Sequence, residues 1–260
     1  MKNIYLYCLL LFILPVSALS QAFKQTDEEI GIIEHLDSIV PSNIKVVNEN
    51  GDTVFLKSLI DKPTVLNLVY YRCPGICTPL MDGLASLVSK SDLKIGSDYQ
   101  ILTVSFDPRE GIDLAIIKKN NYLKLAKQEN AKIGWKFFVA DSLNVANITD
   151  FFGFRYKKTG NDFLHAAAIL VLSPSGKITR YHYGTFFQPF EFRMSVIEAS
   201  KEISQPTINR ILQYCFKYDA QGKKYVLNVT RVSATFIIII ALFLFIYLVA
   251  KPILAKRKAK

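Results

Sequence analysis

An α/β fold, a mixed sheet flanked by helices, is what this sequence predicts, and three observations carry the prediction. Short apolar runs rich in β-branched and aromatic residues alternate with segments of helical periodicity. One such run, Val65 to Tyr71, passes through Pro74 and Gly75 straight into a helical pattern at Leu80, Leu84, Leu87 and Val88. Near the end of the folded region, Ala166 to Leu172 turns at Pro174-Ser175-Gly176 and returns as Lys177 to Tyr183, a hairpin. At 260 residues, 50% hydrophobic and 21% charged, the chain suits one ordinary domain with apolar segments at its two ends.

Taken in order, residues 1–20 read as a secretory signal peptide: Lys2, an apolar run from Ile4 to Leu14, then Pro15 and a small-residue exit at Ala18-Leu19-Ser20. Cys8 lies inside it, and an uncleaved anchor is the alternative. Ile30, Ile33, Leu36 and Ile39 then predict an amphipathic helix over Thr26 to Val40, with His35 on its surface. Lys45 to Leu56 reads as a hairpin turning at Asn50-Gly51. After the Val65 strand and the helix beyond it, Tyr99 to Phe106 is a second strand, ending at Asp107-Pro108. Asp113 to Glu129 is helical, Trp135 to Val139 a strand, and Asp141-Ser142 caps a helix reaching Phe152. A polar turn, Lys158 to Asp162, separates Phe154-Arg155-Tyr156 from the strand that His165 opens. Helices over Phe190 to Ile203 and Thr207 to Phe216 complete the domain. Phe186, Phe187, Phe190 and Phe192 are expected in its core or at the rim of its site.

Val232 to Ala250 is apolar but for Ser233, Thr235 and Tyr247, and is expected to be a transmembrane helix. The basic residues Lys251, Lys256, Arg257, Lys258 and Lys260 place its far end in the cytoplasm. The organisation expected is thus 1–20 signal peptide, 21–231 extracytoplasmic domain, 232–250 transmembrane helix and 251–260 basic tail. Those five residues make half of the +10 formal charge a membrane flank, and setting aside Lys2 as well leaves 26 basic against 22 acidic side chains. No nucleic-acid-binding patch is visible.

The chemistry lies between strand and helix. Cys73 and Cys77 sit where free backbone N–H groups and a positive helix end stabilise a thiolate. Four residues apart on a helical turn, their sulfurs would share one face. As a staple the pair is poor, since closing so small a loop gives only about 2 kcal/mol against about 3 for fifteen residues. As a clamp for a soft metal, or as a redox pair, it is well placed.

Several landmarks together resemble the Sco/SenC family over roughly residues 43 to 203. They are Gly51-Asp52 with Phe55-Leu56, Lys62-Pro63, Tyr70-Tyr71-Arg72-Cys73-Pro74-Gly75-Ile76-Cys77, Phe106-Asp107-Pro108, and His165 heading a run that ends Leu172-Ser173-Pro174-Ser175-Gly176. The tail, Cys215-Phe216-Lys217-Tyr218-Asp219 before an apolar helix, is similar to a bacterial branch of that family. The resemblance implies a thioredoxin-like fold, and the two apolar segments place it at the inner membrane with its soluble domain facing the periplasm or extracytoplasmic side. The resemblance also implies copper ligation by Cys73, Cys77 and His165, and delivery to the binuclear copper centre of a terminal cytochrome oxidase through that enzyme's copper-binding subunit. Two soft sulfurs and an imidazole suit Cu(I) and also Cu(II), whereas zinc would normally take a fourth ligand.

The chain departs from the family pattern in places. Members place an aspartate directly before the histidine; here Leu164 stands there, with Asp162 three positions before His165. Asp113 is followed by Leu114 rather than by the family's Thr-Pro, so no role is assigned to it. His182 could approach the site or simply pack, and Cys215 is the odd thiol of the mature chain. The same two cysteines equally serve a thiol-disulfide oxidoreductase that reduces the oxidase's copper-ligand cysteines. A peroxidase fits less well, because Tyr70 stands where peroxiredoxins place a threonine. A tethered interaction domain without chemistry is the remaining alternative.

Overall fold

The structure, a computed structural model, describes residues 30–205, 216–219, 224–227 and 229–258. Its strands are β1 (Gly31–Ile32), β2 (Lys45–Val47), β3 (Thr53–Phe55), β4 (Thr64–Val69), β5 (Gln100–Ser105), β6 (Trp135–Phe138), β7 (Phe154–Thr159), β8 (Asp162–His165), β9 (Ala168–Leu172), β10 (Ile178–Tyr183), β11 (Phe216–Asp219) and β12 (Lys224–Leu227). The helices are α1 (Cys77–Lys90), α2 (Ile112–Ala126), α3 (Ala131–Gly134), α4 (Ser142–Phe151), α5 (Pro189–Ser200) and α6 (Val229–Lys258), with a 3₁₀ turn at Leu56–Leu59.

The centre is a five-stranded sheet in the order β10-β9-β4-β5-β6. β4 and β5 run parallel, as do β5 and β6, while β9 and β10 are antiparallel additions on the other side of β4. Each parallel step needs a crossover, and α1 and α2 supply them. Every residue of β4, β5 and β9 is buried, which explains why these strands read as near-continuous apolar runs rather than alternating ones. The mixed α/β prediction therefore holds, and the β2–β3 hairpin, the Asp141 cap and the β9–β10 return lie where expected. In that cap, the Asp141 carboxylate accepts from the Asn144 backbone N–H.

Two expectations need correction, and a third is without support. The N-terminal amphipathic helix is absent over the described residues 30–40. Instead β1 pairs with β7, Ile33 N–H donates to Gly153 O, and Asp37 N–H and Val40 N–H donate to Ile178 O and Gly176 O. With its donors committed to distant carbonyls and Asp37 at φ 67°, this segment cannot coil, whatever its apolar spacing. Gly153 permits the approach: a β-carbon there would stand 1.8 Å from Ile33 O.

Second, His165 does not open the central strand. It ends β8, whose hairpin with β7 turns on Gly160-Asn161 and was hidden within the polar stretch. Third, the membrane-spanning expectation for 232–250 is not supported. The run lies in α6, and among the described residues no helix is long and apolar enough to cross a membrane. Cys8, Cys215, the signal segment and all but the last residue of the helix expected over Thr207 to Phe216 lie outside the described residues; Phe216 itself belongs to β11.

Candidate metal centre

The site begins where β4 ends. Tyr70 to Gly75 form a turn, and α1 starts at Cys77 with Ile76 as its N-cap. Cys73 thus precedes the helix instead of lying on it, and the four-residue spacing works differently from a helical i, i+4 pair. Its sulfur folds over the helix start and accepts from two backbone donors, Gly75 N–H at 3.3 Å and Cys77 N–H at 3.4 Å. Ile76 offers no side-chain cap, so the sulfur does the capping that an Asp or Ser would otherwise do. Pro74 and Gly75, which make the sequence look unhelical, give the chain this turn.

Both cysteines are free thiols and buried. Hydrogen bonding from Cys77 is the main reason the Cys73 thiol is lowered far below its usual range, with further help from the two backbone N–H groups, against the opposing effect of burial. Burial pushes the Cys77 thiol well up, and the adjacent Cys73 sulfur adds to this. The two sulfurs are therefore pushed in opposite directions, Cys73 toward the thiolate and Cys77 toward the thiol.

His165 reaches the pair from the end of β8. Its Nε2 lies 3.2 Å from Cys77 Sγ, and its Nδ1 lies 2.9 Å from Ala166 O. A carbonyl can only accept, so Nδ1 carries the proton and the Nε2 lone pair faces the sulfurs. Three aromatic rings hold the imidazole: Phe106 at 5.1 Å, Phe154 at 5.6 Å and Tyr70 at 6.0 Å between centroids. Among the described residues Cys73, Cys77 and His165 form a group whose ligand atoms all lie within 4.8 Å of one another. The three residues singled out from the sequence are thus brought together by three different parts of the fold.

The other histidines are not. His182 Nε2 donates to Ser195 Oγ, which itself donates to Phe192 O. His35 Nδ1 donates to Phe151 O. Asp113 stands exposed in the first turn of α2, where a negative charge favours the helix start. Of the four phenylalanines expected in the core or at the rim, Phe187 and Phe192 are buried and Phe186 and Phe190 exposed.

Sequence reasoning missed the supports. Glu110 is buried, and its carboxylate accepts from Tyr71 N–H at 2.6 Å, Arg72 N–H at 2.7 Å and Ser105 Oγ at 2.6 Å, clamping the loop that carries Cys73 to the end of β5. Arg109 makes a bidentate pair with Asp107 and donates to Asn161 O at 2.9 Å, tying the tip of the β7–β8 hairpin to the loop that follows β5. A cavity of about 390 Å³ lies between these parts, lined by Tyr70, Arg72, Asp107, Arg109, Asn161 and Asp162. The only signal in the sequence was the polar cluster after Phe106-Asp107-Pro108, which does not say where its carboxylates fold back.

Comparison with known proteins agrees with this architecture. The profile described as SCO1/SenC matches residues 36–192. An Aquifex aeolicus VF5 protein, provisionally described as an electron transfer protein, is 29% identical with a TM-score of 0.57, over 64% of this chain and 95% of that one. A second Aquifex aeolicus VF5 protein, provisionally described as an electron transport protein, is 26% identical with a TM-score of 0.51, over 64% and 99%. Arabidopsis thaliana ScoI, solved with copper bound, shares the fold at 16% identity and a TM-score of 0.50, over 61% and 96%. No curated protein sequence matches. With residues 36–192 of its 260 matched, the chain belongs to the SCO1/SenC family.

Proposed function

We propose that this chain is a copper carrier, holding one copper ion through Cys73, Cys77 and His165 and passing it to the copper-binding subunit of a terminal cytochrome oxidase. The observation that supports it most is the meeting of two sulfurs and an imidazole lone pair within 4.8 Å in a buried, aromatic-walled site. That donor set suits Cu(I), and tolerates Cu(II), while a structural zinc site would take four ligands. Copper in the Arabidopsis thaliana protein of the same fold is in keeping with this. Three ligands leave a position through which an acceptor's cysteine can displace them one at a time.

The test is titration of the reduced full-length chain with Cu(I) against a chromophoric chelator. One equivalent is expected to bind, to be lost in Cys73→Ser and Cys77→Ser, and to bind more weakly in His165→Ala. Unchanged titrations in all three variants would remove the proposal.

The asymmetry of the two thiols favours a second reading. A Cys73 thiolate can attack a target disulfide, releasing one target thiolate; Cys77 then resolves the mixed disulfide and frees the second target thiol. The chain ends with a Cys73–Cys77 disulfide and needs an external dithiol to reset it. Disulfide reduction that is indifferent to His165→Ala would favour this reading over copper carriage. As part of the proposal we place the domain on the extracytoplasmic face of the inner membrane. The signal-like residues 1–20, the exposed apolar side chains from Phe236 to Leu248 and the basic run after them support this. Fractionation and protease accessibility of the intact cell envelope test it.

A further inference from the structure

We propose that Met81 gives the cysteine pair a second ligand set, made of sulfur alone, on the side away from His165; this rests on the copper reading above. A small cavity of about 10 Å³ lies against the two cysteines, and its wall includes Cys73, Cys77 and Met81, with Thr78, Lys118 and Tyr122 among the remaining residues. His165 is not part of that wall. The space is of the size that one monatomic or water-sized guest occupies.

Met81 stands one helical turn beyond Cys77 on α1, on the same face, and is buried. A thioether is soft and polarisable, and its three rotatable bonds let it adjust to a guest without moving the backbone. Its sulfur is also held in place. Asn67, in the middle of β4 and fully buried, donates its side-chain N–H to Met81 Sδ at 2.7 Å, while Asn67 Oδ1 has no partner. An apolar residue would fill that position in a central strand without stranding an acceptor. The amide in that place fixes the direction of the thioether.

The arrangement assigns two positions to Cu(I), both sharing Cys73 and Cys77. One is completed by the imidazole from β8 and the other by the thioether from α1. A Cu(I) ion could therefore keep three ligands while the imidazole is withdrawn.

The experiment is sulfur counting by X-ray absorption at the copper edge, with chelator-competition titration, on the reduced full-length chain. The set is wild type, Met81→Leu, His165→Ala and the double variant. His165→Ala is expected to hold Cu(I) with three sulfur neighbours and no imidazole. Adding Met81→Leu should cut the count to two and weaken binding by about tenfold more, the scale on which losing one supporting group acts at a metal site. Met81→Leu preserves volume and apolarity, so unchanged thermal unfolding of that variant confirms that packing is not the cause. Two sulfurs in His165→Ala, or the same affinity with Met81 and with Leu, would overturn the proposal and leave the copper reading intact. No Cu(I) uptake by the wild type would overturn both.

Discussion

Replacing Glu110 tests whether the cysteine loop is held by a carboxylate rather than by its own turn. In Glu110→Gln the side-chain oxygen can still accept from one of Tyr71 N–H and Arg72 N–H, but the new NH₂ group faces the other donor. One charge-assisted bond is lost, about 1.5–3 kcal/mol, and one largely buried N–H is left unpaired at about 1–3 kcal/mol. Together these give a loss of about 2.5–6 kcal/mol, which for a domain of this size is about 5–24 °C in Tm. Glu110→Ala strips all three donors, Ser105 Oγ included, and should cost more. Urea unfolding followed by Trp135 emission is suitable, because Trp135 is the single tryptophan and is fully buried between Tyr122 and Phe137. Alkylation of Cys73 in the native protein should accelerate in parallel. A Gln variant within about 0.5 kcal/mol of wild type, the range of an ordinary surface change, would refute the reasoning that the carboxylate clamps this loop.

His182 should make stability fall in acid. Burial, with the Arg180 charge beside it, lowers its folded-state value to about 4. The unfolded chain, with an ordinary value of about 6.5, takes up a proton that the folded one refuses. Stability is therefore full above about pH 6.5 and is lost as pH falls toward 4, by up to about 3 kcal/mol. In His182→Gln this part of the urea-midpoint profile should flatten, and a slope identical to wild type would assign the acid loss to other groups. Gly83→Ala puts a β-carbon 1.8 Å from Thr185 O, so α1 must part from the 184–187 segment; a loss of about 1–3 kcal/mol in thermal unfolding is expected. Arg109→Ala cuts the hairpin tip from Asp107, and should speed amide exchange across 159–165 and weaken copper binding about tenfold. Exchange there unchanged from wild type would mean that the hairpin holds itself.

What the sequence made legible was what local chemistry dictates. The buried parallel strands announced themselves as apolar runs, Asp141 as a cap, Asn50-Gly51 and Pro174-Ser175-Gly176 as turns, and Cys73 and Cys77 as a thiol pair at a strand–helix junction. What it hid was decided at a distance. Ile30 to Val40 has helical spacing, yet its backbone bonds to Gly153, Gly176 and Ile178 and takes another course. Glu110 acts on Tyr71 and Arg72, thirty-nine and thirty-eight positions earlier, and no local pattern encodes that. His165 was singled out for its sequence company, while its partner Ala166 O and its aromatic enclosure come from the fold.

The correction at His165 bears on how the site can work. Had the imidazole opened β9, it would be part of a buried central strand and as immobile as the sheet. Placed instead at the end of β8, it sits on a three-stranded sheet, β1-β7-β8, separate from the central five strands. Only Ala166 and Ala167 connect it to β9. The two sulfurs, by contrast, are fixed to β4 and α1 and braced by Glu110. Under the copper reading proposed above, the ligand set is divided, with two donors on the central sheet and α1 and one on a hairpin that packs through Phe154, Tyr156 and Phe163 on Phe106 and Tyr70 and bonds through Asn161 to Arg109. Under that reading, release of the ion would disturb the hairpin's contacts rather than the central sheet, and the Met81 thioether proposed as a ligand lies on α1, where it would remain when the imidazole leaves.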